Sequence, residues 1–136
     1  MEITSLDHAA LIVADVERSR RFYADVLQMD EAPRPPTFDF PGAWFRRGSA
    51  EIHLIGEAEA GRTATIQPAY YERELRRGYL PHIAFEVNDI SAARAHLESL
   101  QVALVGGPQS RGDGVTQLYI RDPDGYVIEL FDRNGT

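Results

Sequence analysis

The sequence predicts an α+β fold made of two βαβββ copies in tandem, related by a pseudo-twofold. Three observations predict it. Strand-like runs of aliphatic residues alternate with helical stripes, "LDHAALIVADVERSR" at 6–20 matches "LPHIAFEVNDISAAR" at 80–94, and "EIHLI" around His53 matches "VIELF" around Glu129. In the first match Leu6 falls on Leu80, His8 on His82, Ala10 on Ala84, Val13 on Val87, Asp15 on Asp89 and Arg20 on Arg94. Self-similarity of this kind marks one supersecondary unit used twice.

Each element follows from its residues. "ITSLDHAALIV" reads as a strand. Asp15 offers a side-chain acceptor to a helix starting at Val16, with Phe22, Tyr23, Val26 and Leu27 on one face and an end near Met29. "EAPRPPTFDFPG" is too rich in proline for a helix and reads as a loop leading into an edge strand. "AWFRRG" and "AEIHLIGE", joined at Gly48 and Ser49, form a hairpin. A polar connection follows Glu57, then a short helix in "QPAYYERELRRG", with Pro68 at its start and Gly78 just past its end. The second copy begins with the strand "LPHIAFEV", the N-cap Asp89 and a helical stripe of Ile90, Ala93, Leu97 and Leu100. "VALVGGPQSRGDGVTQLYI" gives a strand, a glycine-rich loop and a further strand; "RDPDG" is a turn, and "YVIELF" closes the copy as a strand. The chain is therefore expected to be a single domain, with module one at about 4–57, a linker at 58–79 and module two at about 80–132.

Composition removes several functions. A chain of 136 residues buries a working core without disulfides or a structural metal, so any metal is free to serve chemistry. There is no cysteine, which excludes thiolate catalysis and zinc fingers, and all 14 basic residues are arginine, which excludes a lysine Schiff base. A net charge of −7 argues against nucleic acid as a partner. No apolar run approaches a membrane span and no signal pattern opens the sequence, so a soluble cytoplasmic protein that does not associate with membranes is expected.

The repeat singles out four donors at corresponding places: His8, His53, His82 and Glu129 lie on the first and last strands of each copy. Alternation puts His8 beside Ala10 and His82 beside Ala84, small neighbours that leave room, while Leu11, Val13, Phe85 and Val87 face the helices. Three imidazoles and a carboxylate suit Zn, Ni, Fe, Mn or Co as one divalent metal ion per site. His96 is read as a surface or packing residue. Around the donors, Arg46, Arg47 and Arg111 are candidate anion contacts for a substrate, and Trp44, Gln117 and Tyr119 are candidate pocket residues; either Trp44 or Phe45 faces the site. The open edges of half-sheets favour a homodimer.

The strings "LDHAALIVADVERSRRFYADVLQ", "GAWFRRGSAEIHLIG", "LPHIAFEVNDI" and "YIRDPDGYVIELF", spanning about residues 4–132, resemble the glyoxalase / bleomycin resistance / extradiol dioxygenase superfamily, the vicinal oxygen chelate fold. The resemblance implies curved mixed sheets enclosing a metal cleft, and a small substrate that chelates the metal through neighbouring oxygens. His8, His82 and Glu129 match the family's ligands, whereas position 53 is usually Glu or Gln in its lyases and epimerases. It implies first a glyoxalase-like lyase or isomerase that passes through an enolate, with Glu129 or a metal-bound hydroxide as base. Two alternatives stand beside it: a non-haem Fe(II) extradiol-type dioxygenase, and a small-molecule binding protein without turnover.

Overall fold

The computed structural model describes residues 1–66 and 71–134, which fall in two compact units, Met1–Ile66 and Gln67–Thr136. The first holds strand β1 (Ala9–Val13), helix α1 (Val16–Arg21), strands β2 (Asp30–Ala32), β3 (Gly42–Arg47) and β4 (Ala50–Gly56), and helix α2 (Arg62–Ile66). The second holds helix α3 (Glu72–Arg77), strand β5 (Ile83–Glu86), helix α4 (Ile90–Ser99) and strands β6 (Gly106–Ser110), β7 (Thr116–Arg121) and β8 (Val127–Asp132). The sheet orders are β1-β4-β3-β2 and β5-β8-β7-β6, each with its first strand parallel to its last. These are two βαβββ modules, and the register repeats: Ala10 pairs with His53 as Ala84 pairs with Glu129.

Each module buries one face of its sheet under its helix. In module one Leu11, Val13, Phe45, Ile52 and Leu54 are buried along with Phe22 and Tyr23, and Tyr23 meets Phe45; in module two Leu118, Ile120, Ile128 and Leu130 are buried along with Ile90 and Leu97. Burial of such a side chain contributes roughly 1.5–3 kcal/mol, so these faces hold the modules together. Asp15 accepts from the Arg18 amide at 3.0 Å and Asp89 from the Ala92 amide at 2.9 Å, the same cap twice. Both helices also leave through a left-handed glutamine, Gln28 at φ 54° and Gln101 at φ 58°.

Several elements differ from the sequence reading for local reasons. The first strand starts at Ala9 and not near Ile3, its paired register running from Ala9 opposite Ile52 to Val13 opposite Gly56. The first helix becomes a π-helical turn over Phe22–Val26, with the Leu27 amide donating to the Phe22 carbonyl at 3.2 Å, so it ends short of Met29. Leu100 forms the C-cap of α4 and is exposed, outside the buried stripe. The glycine-rich stretch after Val105 is itself β6, since Gly106 pairs with Tyr119. A side chain at Gly106 would press on the Arg76 carbonyl and the Tyr119 ring. Helix α2 replaces part of the expected polar connection, with the Glu57 carboxylate accepting from the Gly61 and Thr63 amides at 2.9 and 2.8 Å. The expected helix start at Pro68 lies outside the described residues; α3 ends at Gly78, left-handed at φ 70°. Leu75 of α3 packs with Leu80, Tyr119 and Val127.

Candidate functional site

The face of each sheet turned away from its core helix carries the chemistry-bearing residues. In module one, alternation along β4 puts Glu51 and His53 on that face, and β3 sets Trp44 opposite His53 and Arg46 opposite Glu51. Trp44 therefore faces the site side, while Phe45 lies in the core against Tyr23. The Trp44 and His53 rings lie parallel at 4.0 Å, and His8 stacks at 3.8 Å on His53. Phe38 continues the column, edge-on to Trp44 at 5.3 Å.

His53 is held at its nitrogen as well as its faces. Its Nε2 lies 2.7 Å from Glu51 Oε1, and Arg46 grips the same carboxylate with Nε at 2.8 Å and Nη2 at 3.2 Å. The Arg46 guanidinium, followed by His53, holds the Glu51 carboxyl down at about 2. Asp7 lies 2.7 Å from His8 Nδ1, an orienting contact of the kind that fixes an imidazole tautomer. Glu51 was legible in the sequence only as the residue two before His53, hence on its strand face.

Module two places His82 Nε2 2.8 Å from Glu129 Oε2. His82 Nδ1 lies 2.6 Å from the Leu80 carbonyl, an obligatory acceptor, so Nδ1 carries a proton and donates. Nε2 is thereby turned toward a carboxylate oxygen. Two acceptors at this separation repel unless a proton or a metal cation lies between them. The Tyr119 hydroxyl donates to Glu129 Oε2 at 3.4 Å, and its ring stands edge-on to His82 at 5.7 Å. Burial, then the Glu129 charge and this hydrogen bond, push the Tyr119 phenol up to about 12, so it stays protonated.

The remaining candidates are placed as follows. Gln117 is buried opposite Phe131, two residues from Tyr119 on the same face. Arg111 pairs with Asp113 at 2.7 Å, and its guanidinium lies 6.0 Å from the Phe131 ring. Asp113 first, with the Glu129 charge among the smaller contributions, raises the Arg111 pKa. Arg47 pairs with Asp30 at 3.1 Å. The structure thus brings His8 to His53 within module one and His82 to Glu129 within module two. Among the described residues no group of three or more histidine or acidic side chains is poised to hold a metal. The donors nevertheless fit one chemically: imidazoles fixed at one nitrogen, and a buried carboxylate facing an imidazole nitrogen.

The model of the Glyoxalase/Bleomycin resistance protein/Dioxygenase superfamily matches residues 5–130. The chain belongs to this superfamily. Within it the chain is 28% identical over 134 residues to Glyoxylase I 4 of Arabidopsis thaliana, covering 96% of this chain and 71% of that one. It is 30% identical over 139 residues to lactoylglutathione lyase of Haemophilus influenzae, covering 95% and 93%. The crystal structure of a putative glyoxalase family protein from Bacillus anthracis superposes with a TM-score of 0.76 at 27% identity, covering 97% of both chains. Superfamily relatives also include a human mitochondrial methylmalonyl-CoA epimerase and a metallothiol transferase of Staphylococcus epidermidis.

Proposed function

We propose that the chain is a metal-dependent lyase or isomerase of the glyoxalase type, acting on a small substrate that chelates through neighbouring oxygens. In this reading His8, His53, His82 and Glu129 hold one divalent ion, Zn, Ni, Fe, Mn or Co. The observation that carries it is the His82–Glu129 contact at 2.8 Å, with Nδ1 committed to Leu80 and Nε2 left as a donor atom. A bound divalent ion supplies Lewis acidity, polarising a substrate oxygen and acidifying the adjacent C–H.

The chain's own groups do the rest. Glu129 accepts the proton from that carbon and returns it to the neighbouring one, and the Tyr119 hydroxyl keeps the carboxylate aimed while remaining protonated. Trp44 and Gln117 shape the pocket, and Arg46 and Arg111 add positive potential for an anionic substrate, although each already answers a carboxylate of its own. Each sheet ends in two edge strands, which supports a homodimer as the working form.

The test is isotope exchange. An α-hydroxycarbonyl or hemithioacetal substrate in D2O, under argon, with each metal in turn, is expected to gain solvent deuterium at the carbon next to the carbonyl. Glu129→Ala is expected to abolish the exchange. Oxygen uptake that requires Fe(II) would replace the proposal with a dioxygenase. Ligand binding without turnover, insensitive to a chelator, would replace it with a binding protein.

A further inference from the structure

We propose that Arg34 is the anchor of an oxyanion site on module one, taking small molecules in which a carboxylate or phosphate is attached to a flat apolar group. Arg34 stands in the loop between β2 and β3, half-buried, and makes no ion pair among the described residues. Its Nη1 is buried with no hydrogen-bond acceptor. The neighbouring arginines differ, since Arg46 answers Glu51 and Arg47 answers Asp30. A guanidinium stripped of water on one side and given no counter-ion favours an oxyanion on its open side, where planar paired donors match carboxylate and phosphate.

The surroundings state what the anion is attached to. The guanidinium lies 5.3 Å from the Phe40 ring centre, Phe40 lies 5.4 Å from Phe38, and Phe38 meets Trp44 at 5.3 Å. Phe38 and Phe40 are 36% and 39% exposed, so aromatic surface stands open beside the unpaired charge. Such surface takes flat apolar groups by stacking.

Two features hold the arrangement before any ligand arrives. Prolines 33, 35, 36 and 41 stiffen the loop, the Phe38 amide donates to the Pro35 carbonyl at 3.0 Å, and the Gly56 amide donates to the Pro41 carbonyl at 2.8 Å. Gly42 makes room: a Cβ there would collide with the Leu54 carbonyl and come within 3.0 Å of Arg34 Nη1. Gly42 shares its strand face with Trp44, two residues and so roughly 7 Å along β3. An anion on Arg34 thus lies next to the Trp44–His53 column. That this anion belongs to the substrate rests on the proposed function; the site itself does not.

Trp44 is the only tryptophan, so its fluorescence reports on the site. The full-length chain is titrated with benzoate, phenyl phosphate and benzamide, with metal content measured in parallel. Benzoate or phenyl phosphate is expected to shift the emission saturably, the stronger of the two identifying the oxyanion, and neutral benzamide to bind at least about tenfold more weakly. Arg34→Gln is expected to weaken the anion at least about tenfold with metal content unchanged, Arg34→Lys to fall between, and Arg94→Gln, on α4 and paired with Glu98, to leave binding intact. No saturable anion binding, or equal binding by benzamide or by both Arg34 variants, would overturn the site. Absence of metal from a chain that still binds benzoate through Arg34 would remove the proposed function and leave the site standing.

Discussion

Modules one and two share topology and register, yet they spend the same strand positions differently. Where module one has Glu51, gripped by Arg46 and bonded to His53, module two has Val127. Where module one stacks Trp44 on His53, module two sets Tyr119 beside Glu129. Module one thus satisfies its histidine internally, with an anion on Nε2 and rings on both faces. Module two also sets a carboxylate on its histidine Nε2, Glu129 on His82 at 2.8 Å, but gives that carboxylate a neutral phenol as a further partner where module one gives Glu51 a guanidinium. A repeated scaffold fixes where side chains stand, and the cross-strand neighbours, Arg46 in one module and Tyr119 in the other, decide what holds the carboxylate in place.

The comparison breaks first at Glu129. Glu129→Ala removes the carboxylate that faces His82, and metal affinity is expected to fall by more than about a hundredfold, beyond what loss of an orienting partner costs. Elemental analysis of the folded variant checks this, and retention of metal would show that module two is not the stronger half.

Next comes Gly78→Ala, which adds a Cβ against the Tyr119 hydroxyl at a left-handed residue. Strain and the displaced ring together are expected to cost roughly 2–4 kcal/mol, lowering Tm by about 8 °C or more. Thr4→Ala, at the corresponding place in module one, is expected to leave Tm alone, since Thr4 is exposed.

His53→Ala sharpens the contrast from the other side. Because Glu51 competes with a cation for His53 Nε2, loss of this ligand is expected to lower metal affinity less than Glu129→Ala does. Trp44 emission is expected to change at the same time as its stacked partner disappears. A hundredfold loss would make the modules equal.

The smallest effect concerns how each last strand hands on the chain. Module two ends at buried Asp132, which accepts from the Ile90 amide at 3.2 Å, and module one ends at Glu57. Thr63 and the Gly61 amide hold the Glu57 carboxyl below its usual range. Its contribution is therefore present above the unfolded value near 4.5 and lost as pH falls through the folded one. Glu57→Gln is expected to lower the urea midpoint slightly at pH 7 and not at all at the acid end. An equal loss at both pH values would mean that packing, not charge, is at work.

Much of this was legible in the sequence because identity at a fixed spacing does not depend on tertiary detail. Asp15 and Asp89 announced the same cap, and Ala10 and Ala84 the same strand face, whereas His8 and His82, expected on the first strands, stand one residue ahead of β1 and β5. The π-helical turn, the start of β1 at Ala9 and β6 within the glycines were not legible, since each depends on a distant partner. Trp44 and Phe45 were indistinguishable until the register with His53 settled which one turns inward. Glu51 went unread because a carboxylate on an alternating strand looks like a solvated residue until Arg46 is found opposite it. The pairing of His82 with Glu129 followed from the repeat, but the Leu80 carbonyl that fixes the ring is a backbone atom and leaves no mark in composition.

The most direct measurement is metal stoichiometry by calorimetric titration of the stripped protein, comparing the parent chain with His8→Ala and His82→Ala. The expected result is one ion per chain, lost or greatly weakened in both variants, because the proposed site draws on both histidines. No binding by the parent chain, or an ion that survives unchanged without either histidine, would contradict it.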